Sequence, residues 1–158
     1  MNFCPLSIIT FLFLSFTTVI GAGFQLNYHA IGDKANHVAL NEFETTFKSI
    51  GGSELRNRIE HAQVIAPDDL ARFAELKVLP SMQPTHATSD KNMAEDRIGK
   101  DRMKGAYAWK TLLDSGIALP LGSDFPVELA DPFDGLYSAI TRMDHNQQQS
   151  SISQVELP

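Results

Sequence analysis

Two histidines and one aspartate share the same position relative to the predicted strands of this chain. His29, His61 and Asp124 each lie at the end of a predicted strand, just before a loop that leads into a helix. Neutral imidazole nitrogens and a carboxylate oxygen are ligands that zinc and similar divalent metals accept. Such a metal lowers the pKa of a bound water to about 7, and a neighbouring carboxylate can accept the proton as general base. The three residues therefore indicate a metal-dependent hydrolytic site.

Each of these residues, taken alone, also has a structural explanation. A single histidine at a strand end is more often a hydrogen-bonded structural residue than a metal ligand, and Asp124 could cap a turn before Pro126. It is the repeated placement of the three that favours a site. His86 lies beyond the third predicted strand, where it could contact a substrate or could be an ordinary loop histidine.

Strand-like and helix-like segments alternate along the chain and must position these residues. Alternating apolar and polar residues predict a strand at 24–29, and apolar runs predict strands at 78–82 and 117–122. The short segment 58–61 lies where a further strand is expected, and helical patterns cover residues 34–50, 67–77, 105–115 and 131–140. Four strand-then-helix units predict an α/β fold with a parallel sheet and right-handed crossovers. The polar residues 83–104 have no steady apolar period, and a connection of this length is typical of a lid or binding loop.

The first 23 residues carry no charged side chain and form an apolar leader. Its small-residue end, Gly21-Ala-Gly23, suits a secretory signal and cleavage site, although no Lys or Arg precedes the apolar run. The leader could instead be extraneous to the fold, or a membrane anchor shorter than the usual span of about 20 residues. We expect a secreted protein if the leader is a true signal peptide, and a cytoplasmic one otherwise. The predicted organisation is a leader at 1–23, a body at 24–143 and a polar tail at 144–158.

Composition excludes several classes of function. The chain has 158 residues, with 13 Lys and Arg against 19 Asp and Glu, for a formal charge of −6. No basic stripe is present, so a nucleic-acid partner is not expected. No glycine-rich phosphate-binding pattern follows a predicted strand, which leaves nucleotide binding without support. The single Cys cannot form an internal disulfide or a cysteine-based zinc site.

Five short motifs occur in one order along the chain. They are His29-Ala-Ile-Gly-Asp-Lys-Ala35, Arg58-Ile-Glu-His-Ala-Gln63, Ser81-Met-Gln-Pro-Thr-His86, Lys104-Gly-Ala-Tyr-Ala-Trp109 and Gly122-Ser-Asp-Phe-Pro-Val-Glu128. Together they resemble the C-terminal half of the barrel in the metal-dependent amidohydrolase superfamily. Within it, the chain is similar to amidohydrolase family 3, which includes N-substituted formamide deformylase-like enzymes. The resemblance covers residues 23–142.

The resemblance implies a fold, a reaction and roles for individual residues. The fold would be a partial (β/α)8 TIM barrel of about four βα units, equivalent to strands five to eight. His29 and His61 would bind metal at strands five and six, and Asp124 would be both metal ligand and catalytic residue at strand eight. His86 would bind substrate. The reaction would be hydrolysis of a non-peptide carbon–nitrogen bond in a small amide-like molecule, with one or two divalent metals, zinc by expectation.

The chain also departs from the family pattern. Family members carry a His-x-His pair on the first barrel strand and a bridging lysine or acidic residue on the fourth, and neither can be placed here. A complete barrel needs about 250 residues. We therefore expect a truncated form with little or no activity alone. The alternative is a non-catalytic interaction module or degenerate copy that pairs with a full-length homologue, and exposed barrel edges could also promote self-association.

Overall fold

The computed structural model describes residues 5–144 and 146. The polar tail predicted at 144–158 therefore lies, apart from Asp144 and Asn146, outside the described residues. The helices are α1 (Pro5–Gly21), α2 (Asp33–Ile50), α3 (Leu70–Leu76), α4 (Pro84–Ser89), α5 (Ala94–Ile98), α6 (Lys100–Met103), α7 (Trp109–Asp114) and α8 (Pro132–Thr141). The strands are β1 (Asn27–Ala30), β2 (Arg58–His61) and β3 (Leu79–Ser81). Short 3₁₀ turns occupy Ser53–Leu55, Pro67–Asp69 and Asp90–Asn92.

The three strands form a parallel sheet in the order β1-β2-β3. Ala30 is opposite His61 in the first pairing, and Ile59 is opposite Pro80 in the second. Parallel neighbours need a crossover connection, and α2 and α3 supply it between successive strands. The α/β class and the parallel sheet predicted from the alternating segments are thus present.

The fourth predicted strand, residues 117–122, does not form a ladder. A single parallel bridge joins Met82 to Leu121. The Met82 N–H donates to the Pro120 carbonyl at 3.0 Å, and the Gly122 N–H donates to the Met82 carbonyl at 3.0 Å. Proline has no N–H, so Pro120 cannot continue a regular ladder. The segment lies beside β3, where a fourth strand would be, but the prediction of a full strand was wrong.

The polar stretch 83–104 and the helix predicted after it also differ from expectation. The stretch contains the short helices α4, α5 and α6, and the following helix begins only at Trp109. Residues before Trp109 pair with the chain that leaves β2: the Ile65 N–H donates to Gly105 O at 2.9 Å, and the Tyr107 N–H donates to Gln63 O at 2.8 Å. This tertiary pairing prevents residues 105–107 from joining the helix.

Helix α1 packs onto the sheet layer through its second half. Phe16 and Ile20 are buried, and the Phe16 ring lies 4.7 Å from the Phe43 ring and 5.2 Å from the Tyr28 ring, measured between centroids. These side chains belong to the same core cluster as Ile59, which lies in β2. The domain boundary at residue 23 stays a prediction. Among the described residues, no helix has both the length and the hydropathy that crossing a bilayer requires.

Candidate metal centre

The four candidate residues gather at the carboxyl end of the parallel sheet. His29 lies in β1 and His61 ends β2, while His86 lies in α4 directly after β3. Asp124 follows the segment that lies beside β3. Parallel strands present their carboxyl ends, and the loops after them, at one edge. The sheet therefore brings together residues that are up to 95 positions apart in the chain.

Three of the four residues could share one metal ion. His61, His86 and Asp124 each offer one ligand atom, and these atoms lie within 4.8 Å of one another. Nε2 of His61 is 4.0 Å from Oδ2 of Asp124. The His61 and His86 rings are stacked, with centroids 5.9 Å apart. Two nitrogens and one carboxylate oxygen match the donor set of a catalytic zinc site that keeps an open position.

His29 lies beside this group but outside the gathered set. Its ring packs edge-on against the His61 ring, with centroids 4.5 Å apart. The sequence indicated His29, His61 and Asp124 as ligands and His86 as a substrate contact. In the structure, His86 and not His29 joins His61 and Asp124 in the group whose ligand atoms lie together. The division of roles between His29 and His86 stays a prediction.

The electrostatic surroundings favour neutral imidazole at His61. Burial lowers the pKa of His61, and the neighbouring His29 lowers it further, while the Asp124 carboxylate partly offsets both effects. The neutral ring is the form that binds a metal. Nε2 of His86 is buried and has no hydrogen-bond partner within the described part of the chain. A buried nitrogen without a partner costs free energy, and a metal ion would satisfy it, so these residues fit a divalent cation.

The backbone is strained at two of these residues. His61 has φ of 74° and Asp124 has φ of 57°, both in the left-handed region that non-glycine residues seldom adopt. Ala62, next to His61, has φ of 43°. Such conformations persist only where the surrounding structure fixes them, and they cluster at functional sites. The strain supports a site at this end of the sheet.

A partly buried hydrogen-bond network begins two residues after His61 and reaches residues 83–104. Nε2 of Gln63 donates to Oδ2 of Asp90 at 2.6 Å, and the Tyr107 hydroxyl donates to the same oxygen at 2.5 Å. Burial, followed by Asp90, raises the pKa of Tyr107, so the hydroxyl stays protonated and remains a donor. The one signal in the sequence was the position of Gln63 two residues after His61. The partners themselves depend on tertiary pairing that no local pattern reveals.

This combination defines a class of protein. A parallel sheet that delivers imidazoles and a carboxylate to one edge is typical of metal-dependent hydrolases. A family model described as the amidohydrolase family, and more narrowly amidohydrolase family 3, matches residues 18–156. The chain belongs to this family.

Relatives of known sequence agree with this assignment. The chain is 37% identical over 123 residues to the protein LONG AFTER FAR-RED 3 of Arabidopsis thaliana. This match covers 77% of this chain and 21% of that protein. It is 40% identical over 126 residues to YtcJ of Bacillus subtilis (strain 168), an amidohydrolase candidate by name, covering 80% of this chain and 23% of that protein. The chain thus spans under a quarter of the length of these curated relatives.

Solved structures show the same likeness in three dimensions. An uncharacterized metal-dependent hydrolase from Pyrococcus horikoshii OT3 matches with a TM-score of 0.74 and 36% identity, over 85% of this chain and 26% of that one. A second, from Pyrococcus furiosus, matches with a TM-score of 0.72 and 37% identity, over 86% of this chain and 28% of that one. The arrangement of this α/β unit is therefore shared with metal-dependent hydrolases.

Proposed function

We propose that the chain carries part of the active site of a zinc-dependent hydrolase that cleaves non-peptide carbon–nitrogen bonds in small amide-like molecules. The observation that carries the proposal is the convergence of His61, His86 and Asp124 within 4.8 Å, in a member of the amidohydrolase family. The donor set supports zinc, because imidazole and carboxylate together suit this metal. Small amides are the substrate class that family membership supports.

The residues of this chain divide the chemistry between them. When bound, a divalent cation polarises a carbonyl oxygen and lowers the pKa of water. His61 and His86 would hold the cation through ring nitrogens, with a carboxylate oxygen of Asp124 as the third donor. A carboxylate oxygen of Asp124 accepts the proton of the attacking water and returns it to the nitrogen of the leaving amine. Asp124 is well placed for this because its side chain is about two-fifths exposed, whereas His61 is nearly buried.

We also propose that the described units correspond to units five to eight of a (β/α)8 barrel. The sheet order β1-β2-β3, the bridge to Leu121 and the match to about a quarter of each hydrolase structure support this correspondence. In that arrangement the remaining ligands come from units outside this chain. We therefore expect turnover by the chain alone to be weak.

The function is tested by amide hydrolysis with purified full-length chain. Release of amine from an N-substituted formamide would be followed with zinc added and with zinc removed by a chelator. We expect zinc-dependent amine release, slow against that of a complete amidohydrolase, that is lost in Asp124→Asn. Zinc binding without any turnover would refute independent catalysis and favour the interaction module.

A pair of variants distinguishes the two possible ligand sets. If His86 is the third ligand, His86→Ala should weaken zinc binding by at least about tenfold, and His29→Ala should change it little. If His29 is the ligand, the order reverses. Isothermal titration with zinc chloride measures both. We expect the larger loss for His86→Ala, and a larger loss for His29→Ala would overturn this choice.

A second candidate function, an interaction module, has its own observation. Large apolar side chains lie exposed in the segment before α8 and along that helix, and they are Phe125, Val127, Leu129, Phe133, Leu136 and Ile140. Exposed large apolar side chains concentrated in one part of a chain are typical of interaction sites. We infer that a second copy of this chain is the partner. Among the described residues, the two edges of the sheet, formed by β1 and by residues 117–122, have no further neighbouring strand, and open edges favour pairing with another chain.

Self-association is tested by placing a charge on this surface. Phe133 is 75% exposed, and burying such a ring in an interface stabilises it by about 1.5–3 kcal/mol. Phe133→Asp should therefore weaken a dimer by about tenfold or more. Sedimentation velocity at several concentrations measures the change. Phe11→Asp, at a 68% exposed position on α1, is the matched control, and an equal effect of both would argue against this surface.

A further inference from the structure

One buried amide touches both loops that leave the first two strands. Asn36, in the first turns of α2, is fully buried. Its Nδ2 lies 3.0 Å from the carbonyl oxygens of Gly32 and Val64, 3.3 Å from that of Ile31 and 3.4 Å from that of Ala30. Ala30 is the last residue of β1, Ile31 and Gly32 belong to the loop after it, and Val64 belongs to the segment after β2. The amide therefore crosslinks two separate connections.

These connections follow two histidines whose rings are in contact: His61, which belongs to the metal centre, and His29, which lies beside it. Ala30 directly follows His29, and Val64 lies three residues after His61. The same stretches are joined by backbone bonds: the Ala62 N–H donates to Ala30 O at 3.0 Å, and the Val64 N–H donates to Ile31 O at 2.9 Å. The crosslink thus lies at the point where the chain turns away from each histidine.

The turn after β2 needs such support. His61 and Ala62 both have positive φ, with values of 74° and 43°. A non-glycine residue in this region is strained and stays there only when its surroundings fix it. The Asn36 amide binds the Val64 carbonyl oxygen, and this bond restrains the backbone just after the strained residues. Asn36 is therefore placed to keep the His61 ring where the metal centre needs it.

We propose that Asn36 is a positioning residue of the metal centre, which holds the His61 ring in its place against the His29 ring. The proposal rests on the proposed metal-dependent function. Asn36 touches neither substrate nor metal and acts through the two backbone connections. No local pattern in the sequence marks this role, because the acceptor on Val64 is 28 positions away.

The chain supplies a matched control at the opposite end of the sheet. Asn57, just before β2, is also fully buried. Its Oδ1 accepts from the Leu26 N–H at 2.9 Å, and its Nδ2 donates to Gly52 O at 2.9 Å. Asn57 therefore joins the amino ends of the same two strands. Loss of either side chain removes a buried amide and its bonds, but only Asn36 adjoins the histidines.

The experiment compares Asn36→Ala with Asn57→Ala in the full chain. Thermal unfolding should show that both are less stable than wild type. Zinc titration should show at least a tenfold loss of affinity in Asn36→Ala and less than a threefold change in Asn57→Ala. The nuclear Overhauser effect between the His29 and His61 ring protons, measured without metal, should weaken only in Asn36→Ala. Asn36→Ser, which keeps one donor, should fall between wild type and Asn36→Ala and serves if the alanine variant does not fold.

Two outcomes are decisive and separate the proposals. Equal zinc affinities and equal ring contacts in the two alanine variants would overturn the role of Asn36. Absence of zinc binding in the wild-type chain would overturn the proposed function instead. In that case the ring contact still decides whether Asn36 positions the histidines.

Discussion

Replacing His61 with alanine should weaken zinc binding by more than about 100-fold. His61 belongs to both ligand sets considered above, and its ring lies between His29 and His86, at centroid distances of 4.5 and 5.9 Å. Loss of residues that only orient ligands already costs about 10–100-fold in metal affinity, so loss of the central ligand should cost more. Isothermal titration with zinc chloride, with bound metal determined after dialysis, measures the effect.

His37→Ala is the control for this prediction. His37 is 45% exposed and lies 3.0 Å from the Asp69 carboxylate, outside the metal centre. Its loss should leave zinc affinity within about twofold of wild type. Zinc affinity in His61→Ala equal to that of His37→Ala would show that the metal centre does not exist as described.

Replacing Gly105 with alanine should destabilise the fold by about 3 kcal/mol or more. A Cβ added at Gly105 would stand 1.7 Å from the carbonyl oxygen of Ile65, which is backbone and cannot move aside as a side chain does. The close approach exists because the Ile65 N–H donates to Gly105 O at 2.9 Å. Overpacking that forces backbone shifts typically costs 1–3 kcal/mol and sometimes more. Against a usual total of 5–15 kcal/mol, this is a large fraction.

Gly135→Ala is the matched substitution for this test. Gly135 lies inside α8, and an added Cβ there meets nothing within 4 Å. Alanine is favoured over glycine in a helix by about 1 kcal/mol, so this variant should be neutral or more stable. Urea unfolding of both variants measures the difference. Similar midpoints for the two would contradict the close approach at Gly105.

Elements that depend on local rules were predictable from the sequence. Strand β2 matches its prediction from Arg58 to His61. Helix α8 begins after Asp131, whose Oδ1 accepts from the Phe133 N–H at 2.9 Å, with Pro132 in the first turn, as capping rules require. These features rest on neighbouring residues, so the sequence alone displays them.

Elements that depend on distant partners were not predictable. Residues 105–107 read as helix, but their backbone pairs with residues 63–65 instead. Residues 117–122 read as a strand from their apolar run, whereas Pro120 limits their pairing to one bridge. In both cases a tertiary contact or a missing donor outweighed the local pattern.

The sequence predicted where the candidate site lies better than it predicted which residues form the ligand group. Strand ends located His29, His61 and Asp124, because parallel strands share an edge. His86 read as a loop residue with several roles, and only the short helix α4 turns its ring onto His61. Asn36 gave no signal at all, since its importance lies in acceptors contributed by two loops.

If α1 serves as an export signal, targeting and folding require the same side chains. A segment read as an export signal must be taken up unfolded, and cleavage near Gly23 would remove Phe16 and Ile20 from the core cluster. Each such side chain stabilises the folded state by about 1.5–3 kcal/mol when buried. A matured chain would expose the Phe43 ring, which now packs against Phe16. The core described above therefore requires α1. If α1 were removed, other residues would have to pack against the surface of α2 that it now covers.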